Sequence, residues 1–262
     1  MKPTASYAMP RERNLILAVL FGMAAITWAL LIWQSVRPDG EMMGLTMGMG
    51  APLFIANWMA MMVAMMFPTA APMILTFARV HAGRRQHGQS FVPTWIFVGG
   101  YMVVWTVFGV LAYAVAMGAE ALAAHSMWLT EHAPRLGGGV LMVAGLYQLS
   151  PLKATCLSKC RTPLGFILNS WHDGYTGAFR MGVEHGVYCL GCCWLLFVIL
   201  FPLGVMNVAA MAVITLLIFA EKSLLISRHI SRIAAAALIA YGVLVMIVPN
   251  ALSTMMQGQP GM

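Results

Sequence analysis

Glu184-His185-Gly186-Val187-Tyr188-Cys189-Leu190-Gly191-Cys192-Cys193-Trp194 opens an apolar run that continues to Phe201. The run predicts a helix, and at 100° per residue Met181, His185, Cys189 and Cys192 share one stripe, with Cys193 on its flank. Three of the five cysteines fall within this short segment. A stripe of imidazole, thiol and thioether turned toward other helices supplies the donors that a soft metal ion prefers. Such a helix needs an apolar setting on its remaining faces, and the composition provides one. Of 262 residues, 61% are hydrophobic and 9% charged. Soluble domains carry about 25% charged residues, so the chain reads as an integral membrane protein. No polar stretch is long enough to build a separate soluble core.

Working outward, the apolar runs predict an all-α polytopic bundle of about seven spans, six being the alternative, in a single domain covering 1–262. The predicted transmembrane helices are 14–33, 52–78, 91–117, 136–149, 180–201, 205–225 and 230–248. The first follows a short basic segment but shows no small-x-small cleavage pattern, so it is expected to be retained. Pro68 and Pro72 should disturb the second helix and free backbone carbonyls at depth. Gly137-Gly138-Gly139 at the start of the fourth allows close approach to a neighbour. The stretch 150–179 is the one long polar connection, a Cys-containing loop carrying Cys156 and Cys160.

Orientation follows the basic residues. With the N-terminus in the cytoplasm, thirteen of the fifteen Lys and Arg fall on inner segments and only Arg37 and Arg135 on outer ones. The net charge of +7 is therefore a topology signal, not a nucleic-acid footprint. The implied arrangement is multi-pass, N-in and C-out. Cys156 and Cys160 then lie on the cytoplasmic side. Cys189 and Cys192 lie about 13 and 18 Å along their helix from Arg180, at 1.5 Å per residue. None of the five cysteines faces the oxidising side, so all are expected to be thiols.

The 24 methionines complement the thiols. Met42, Met43, Met47 and Met49 precede the second helix, and Met255, Met256 and Met262 lie in the tail. Met59, Met62, Met66 and Met73 share one face of the second helix, with Met61 and Met65 on another. Thioethers bind Cu(I) and carry no charge, so copper is the expected metal and another soft or borderline metal the alternative. The candidate ligands are His185, Cys189, Cys192, Cys193, Cys156, Cys160, Glu184, Met59, Met62 and Met66. Methionine also fills gaps in apolar helices, and a lone buried cysteine usually acts as a small hydrophobe. His81, His87, His125 and His132 fall in predicted loops, where solvation is expected. Trp171-His172 reads as an interfacial anchor. Asn207, Met211, Ile214, Ile218 and Glu221 share a stripe of the sixth helix, and Glu221 is expected to pair with an Arg or Lys.

These residues carry a resemblance. The run from His185 to Trp194, followed by Gly204-Val205-Met206-Asn207 and Glu221-Lys222, resembles a bacterial family of predicted metal-binding integral membrane proteins. That family is a domain of unknown function, and some members are described as copper chaperone-like and associated with copper oxidases. Trp58-Met59-Ala60-Met61-Met62-Val63-Ala64-Met65-Met66-Phe67-Pro68 and Lys153 to Pro163 extend the match over roughly residues 50–248. The resemblance implies metal binding.

The residues and the resemblance together lead to the expectation of a protein that binds Cu(I) for transport or for delivery to a cuproenzyme. Its partners would be the lipid bilayer and a copper enzyme or soluble copper chaperone. Two further classes stay open at the level of sequence: a membrane thiol-disulfide or quinone-linked redox protein, and a non-catalytic assembly subunit. No nucleophile is paired with a general base, and no phosphate loop or dinucleotide fingerprint occurs. The loops have no room for a nucleotide-binding domain, which excludes an ATP-driven pump.

Overall fold

A long apolar segment away from water must satisfy its backbone groups internally, and a helix does so within a single segment. The computed structural model describes residues 8–36, 44–86 and 92–252, and no strand occurs among them. The helices run in chain order as α1 (Ala8–Ser35), α2 (Ala51–Gln86), α3 (Thr94–Ala124), α4 (Met127–Gln148) and α5 (Pro151–Arg161). They continue as α6 (Pro163–Asn169), α7 (Gly174–Val198), α8 (Leu200–Leu203), α9 (Val208–Ser223) and α10 (Ser227–Ile247). Met42, Met43, Met255, Met256, Met262, Arg37 and His87 lie outside the described residues.

Among the described residues, five helices are long and apolar enough to cross a membrane: α1, α2, α3, α7 running into α8, and α10. The pair α4 and α5, bent by 62°, makes a sixth if it counts as one broken span. The segment expected at 205–225 forms α9, which has 16 residues, about 24 Å at the helical rise per residue. The expected polar connection 150–179 contains two helices, α5 and α6.

α2 is the axis of the bundle. Its apolar window is 72% buried, against 17–22% for α1, α3 and α10, so those three turn broad apolar faces outward. Pro68 and Pro72 lie within an uninterrupted α2. Pro68 has no N–H to give the Ala64 carbonyl one helical turn back. That carbonyl instead accepts the Trp28 indole N–H from α1 at 3.0 Å, so the broken backbone bond becomes an interhelical one.

Two helix pairs close on glycine. A Cβ on Gly182 would collide with the Phe97 carbonyl, and one on Gly100 with the Phe179 carbonyl, which brings α3 and α7 backbone to backbone. Gly138 and Gly242 do the same for α4 and α10, each facing the other's carbonyl. Dense packing without apolar side chains at the crossing is how small residues join helices in membranes. Gly204, with φ 94°, turns the chain from α8 toward α9, whose first turn is capped by the Asn207 side chain accepting from Ala210 N at 3.0 Å. α7 thus packs on α3, and its other flank takes α5.

Candidate metal centre

α7 presents the predicted stripe inward. Met181, His185, Cys189, Cys192 and Cys193 are all buried. Small residues on the same helix (Gly182, Gly186, Gly191) let neighbouring helices approach, and α5 uses this: a Cβ on Gly191 would stand 2.7 Å from Cys156 Sγ. α5 buries Lys153, Leu157 and Cys160, spaced i, i+4, i+7. Cys160 thereby enters the core, while Cys156 stays half-buried. All five cysteines are free thiols.

Cys189 is the hub. Its Sγ lies 3.0 Å from Lys222 Nζ, 3.3 Å from Tyr101 Oη and 4.0 Å from Met66 Sδ. The Lys222 ammonium also donates to Thr69 Oγ1 at 3.3 Å. Cys160, Cys192 and Cys193 are buried in the same core as Cys189, with α5 packed on α7. Sulfur from α2, α5 and α7 thus converges beside one ammonium from α9.

Among the described residues, no three His, Cys, Asp or Glu side chains form a ready-made ligand group. Two of the thiols are turned to their own backbone. Cys192 and Cys193 donate to the Cys189 carbonyl at 3.1 and 2.8 Å, the back-bonding that short polar side chains make within a helix. Their sulfurs are drawn toward their own backbone.

The remaining candidates separate. His185 stacks between Phe97 and Tyr101, with centroids at 5.9 and 5.5 Å, and Phe166 closes the ring at 5.7 Å. Both of its nitrogens are buried without a hydrogen-bond partner. A buried polar atom without a partner is costly and calls for an explanation. On α2, Met66 reaches the thiol hub, Met59 accepts from Thr106 Oγ1 at 3.0 Å, and Met62 is fully buried. Glu184 pairs with Arg180 at 3.2 Å, one turn back on the more exposed face of α7.

Glu221 finds its expected basic partner in Lys153, with Nζ to Oε2 at 2.7 Å and both side chains buried. Ser231 Oγ donates to the same carboxylate at 2.8 Å, and Lys153 also donates to Gln148 Oε1. His81, expected in a solvated loop, is buried in α2, which extends further than predicted. It packs against Phe77 and Trp171, with centroids at 4.4 and 4.9 Å. Trp171 therefore packs on a core residue. Tyr101, Thr69 and the thiol contact of Lys222 had no sequence signal, because single polar groups in apolar helices form no pattern.

The donor set suits a soft cation: thiols, one thioether at the hub and an imidazole with unpartnered nitrogens. Among the described residues the one buried carboxylate, Glu221, is already bound to an ammonium. No curated protein and no solved structure matches the chain. The model of the family described as "PpoB2: Copper chaperone" matches residues 55–245, a range that includes the α7 stripe, Cys156, Cys160, Lys222 and the methionines of α2. The chain belongs to the PpoB2 copper chaperone family.

Proposed function

We propose that this protein binds Cu(I) within the membrane and hands it to a copper enzyme. The observation that carries this reading is the convergence of Cys160, Cys189, Cys192 and Met66 from three helices. Soft sulfur donors favour Cu(I) over hard cations. Cys189, Cys192 and Cys160 are the principal ligands, Met66 the thioether that passes the ion to them, and His185 and Cys193 the next donors. Rotation of Cys192 about χ1 frees its sulfur from the Cys189 carbonyl. Met59 and Met62 extend a thioether path along α2, with Met59 about 10 Å from Met66 at the helical rise per residue. Cys156 and Glu184 stand outside this principal set.

Charge supports the choice of metal. With Cys189 and Cys192 bound as thiolates and Cys160 as a neutral thiol, one Cu(I) and the Lys222 ammonium bring the sum to zero. A divalent ion on the same pair would leave a net positive charge in a buried site, which is costly. In this reading the protein is a bacterial inner-membrane bundle of five or six spans with a cytoplasmic N-terminus. Import, export and delivery share the same ligands, and the family description favours delivery.

The test is elemental analysis of anaerobically purified protein. Wild type should carry about one copper per chain, and the Cys189→Ser/Cys192→Ser/Cys193→Ser variant should lose it. Full copper occupancy in that variant would sink the site assignment.

A further inference from the structure

A second cluster of charge lies away from the thiols. The polar end of α4, the first turns of α5 and α10, and the end of α5 enclose a cleft of about 610 Å³. Small-molecule sites run from about 300 to 1,000 Å³. Every charged residue lining the cleft is basic: Lys153, Arg161, Arg228 and Arg232. Lys153 is neutralised by Glu221. Among the described residues no carboxylate pairs with the three arginines.

Arg161 is fixed in place, donating to Ser227 Oγ and, at 2.8 Å, to the Leu224 carbonyl. Two helices begin at the cleft, since Ser150 caps α5 and Ser227 opens α10. Helix N-termini carry partial positive charge and free N–H groups, which favour anions. These features alone describe a basic surface. Gln148 makes it a site. Its side chain is buried and lines the cleft. Its Oε1 accepts from Lys153, which leaves Nε2 as a buried donor without a partner. An acceptor in the cleft would satisfy that donor.

We infer that this cleft binds a phosphate group, held by Arg161, Arg228 and Arg232, with Gln148 Nε2 donating to it. Guanidinium groups match phosphate oxygens in geometry and charge. The phosphate belongs either to an anionic lipid headgroup or to a soluble ion. Leu224, Leu225 and Ile226, all exposed beside the start of α10, offer an apolar surface that acyl chains could cover. Basic pockets between helices on the cytoplasmic side commonly take anionic headgroups.

The full chain in detergent is the material for the test. One arm titrates inorganic phosphate against sodium chloride at matched ionic strength and follows the thermal midpoint. The other counts lipids retained in native mass spectrometry after release from nanodiscs of phosphatidylglycerol or of phosphatidylcholine. Each arm compares wild type with Arg228→Gln/Arg232→Gln, both exposed positions where the fold tolerates change; an unchanged copper content controls for folding. Preferential retention of phosphatidylglycerol, at least tenfold weaker in the variant, supports the site and names a lipid. A midpoint raised by phosphate but not chloride, and lost in the variant, supports it and names the soluble ion. Equal behaviour of wild type and variant in both arms overturns the inference.

Discussion

Glu221 and Lys222 are neighbours in the chain, yet they serve opposite kinds of site. Glu221 closes a complete set: Lys153 supplies the opposite charge and Ser231 another donor. Among the described residues Lys222 meets no carboxylate; its ammonium rests on the Cys189 sulfur and the Thr69 hydroxyl. A matched buried ion pair fixes helices and leaves no need for a further ion. An ammonium beside several thiols leaves soft donors whose charge depends on what binds them. Adjacent residues on α9 thus separate a structural clasp from an ammonium set among soft donors.

The sharpest way to break this contrast is to unmatch the clasp. Glu221→Gln strands the Lys153 ammonium in the core, and removing one partner of a buried pair costs about 3–5 kcal/mol. Equilibrium unfolding in mixed micelles should show that loss. The double variant Lys153→Met/Glu221→Leu should recover most of it, because apolar replacements remove both desolvated charges. A single variant as stable as wild type would mean that the pair holds nothing.

Lys222→Met tests the other side. If the ammonium balances a two-thiolate Cu(I) complex, its loss leaves a buried negative charge, and Cu(I) affinity should fall about tenfold, or about 1.4 kcal/mol. Lys222→Arg should keep most of the affinity. Competition with a Cu(I) chelator under anaerobic conditions measures both variants. Unchanged affinity in Lys222→Met would remove the charge-balance argument and, with it, the preference for a monovalent ion.

His185 lies between these extremes. Its two unpartnered nitrogens burden the fold, so His185→Phe, which keeps the aromatic stack, should raise stability by about 1 kcal/mol. As a ligand it should also be missed, with faster copper loss to the same chelator. A stabilised variant that holds copper as tightly as wild type would take His185 out of the ligand set and leave it a packing residue.

The long apolar helices and the inward stripe of α7 were legible in sequence, because hydrophobic length and a 100° period report directly on burial. The part played by 150–179 was not. Lys153, Leu157 and Cys160 repeat at helical spacing, but α5 mixes them with Thr155, Ser158 and Lys159, and polarity masked the buried face. Proline misled less than it promised, since Pro68 frees the Ala64 carbonyl and α2 continues with Trp28 filling the vacancy. Around Cys189, Met66 and Cys160 were candidates from the sequence, but Tyr101 and Lys222 were not. They reach its sulfur from α3 and α9, with Thr69 of α2 behind Lys222, and contacts between helices leave no trace in the spacing of either one.

Glu184 provides the smallest effect and the cleanest control. It adjoins His185 in the sequence, so proximity made it a candidate ligand, but one residue along a helix is a 100° turn. His185 faces the aromatic cage, whereas Glu184 turns to Arg180 on the more exposed side at 3.2 Å. An exposed i, i+4 pair contributes about 0.3–0.5 kcal/mol. Glu184→Gln should therefore shift stability by no more than that and leave copper content at the wild-type value. A fall in bound copper would place the carboxylate in the ion's path, and the boundary of the site would move outward from the thiols to the surface of α7.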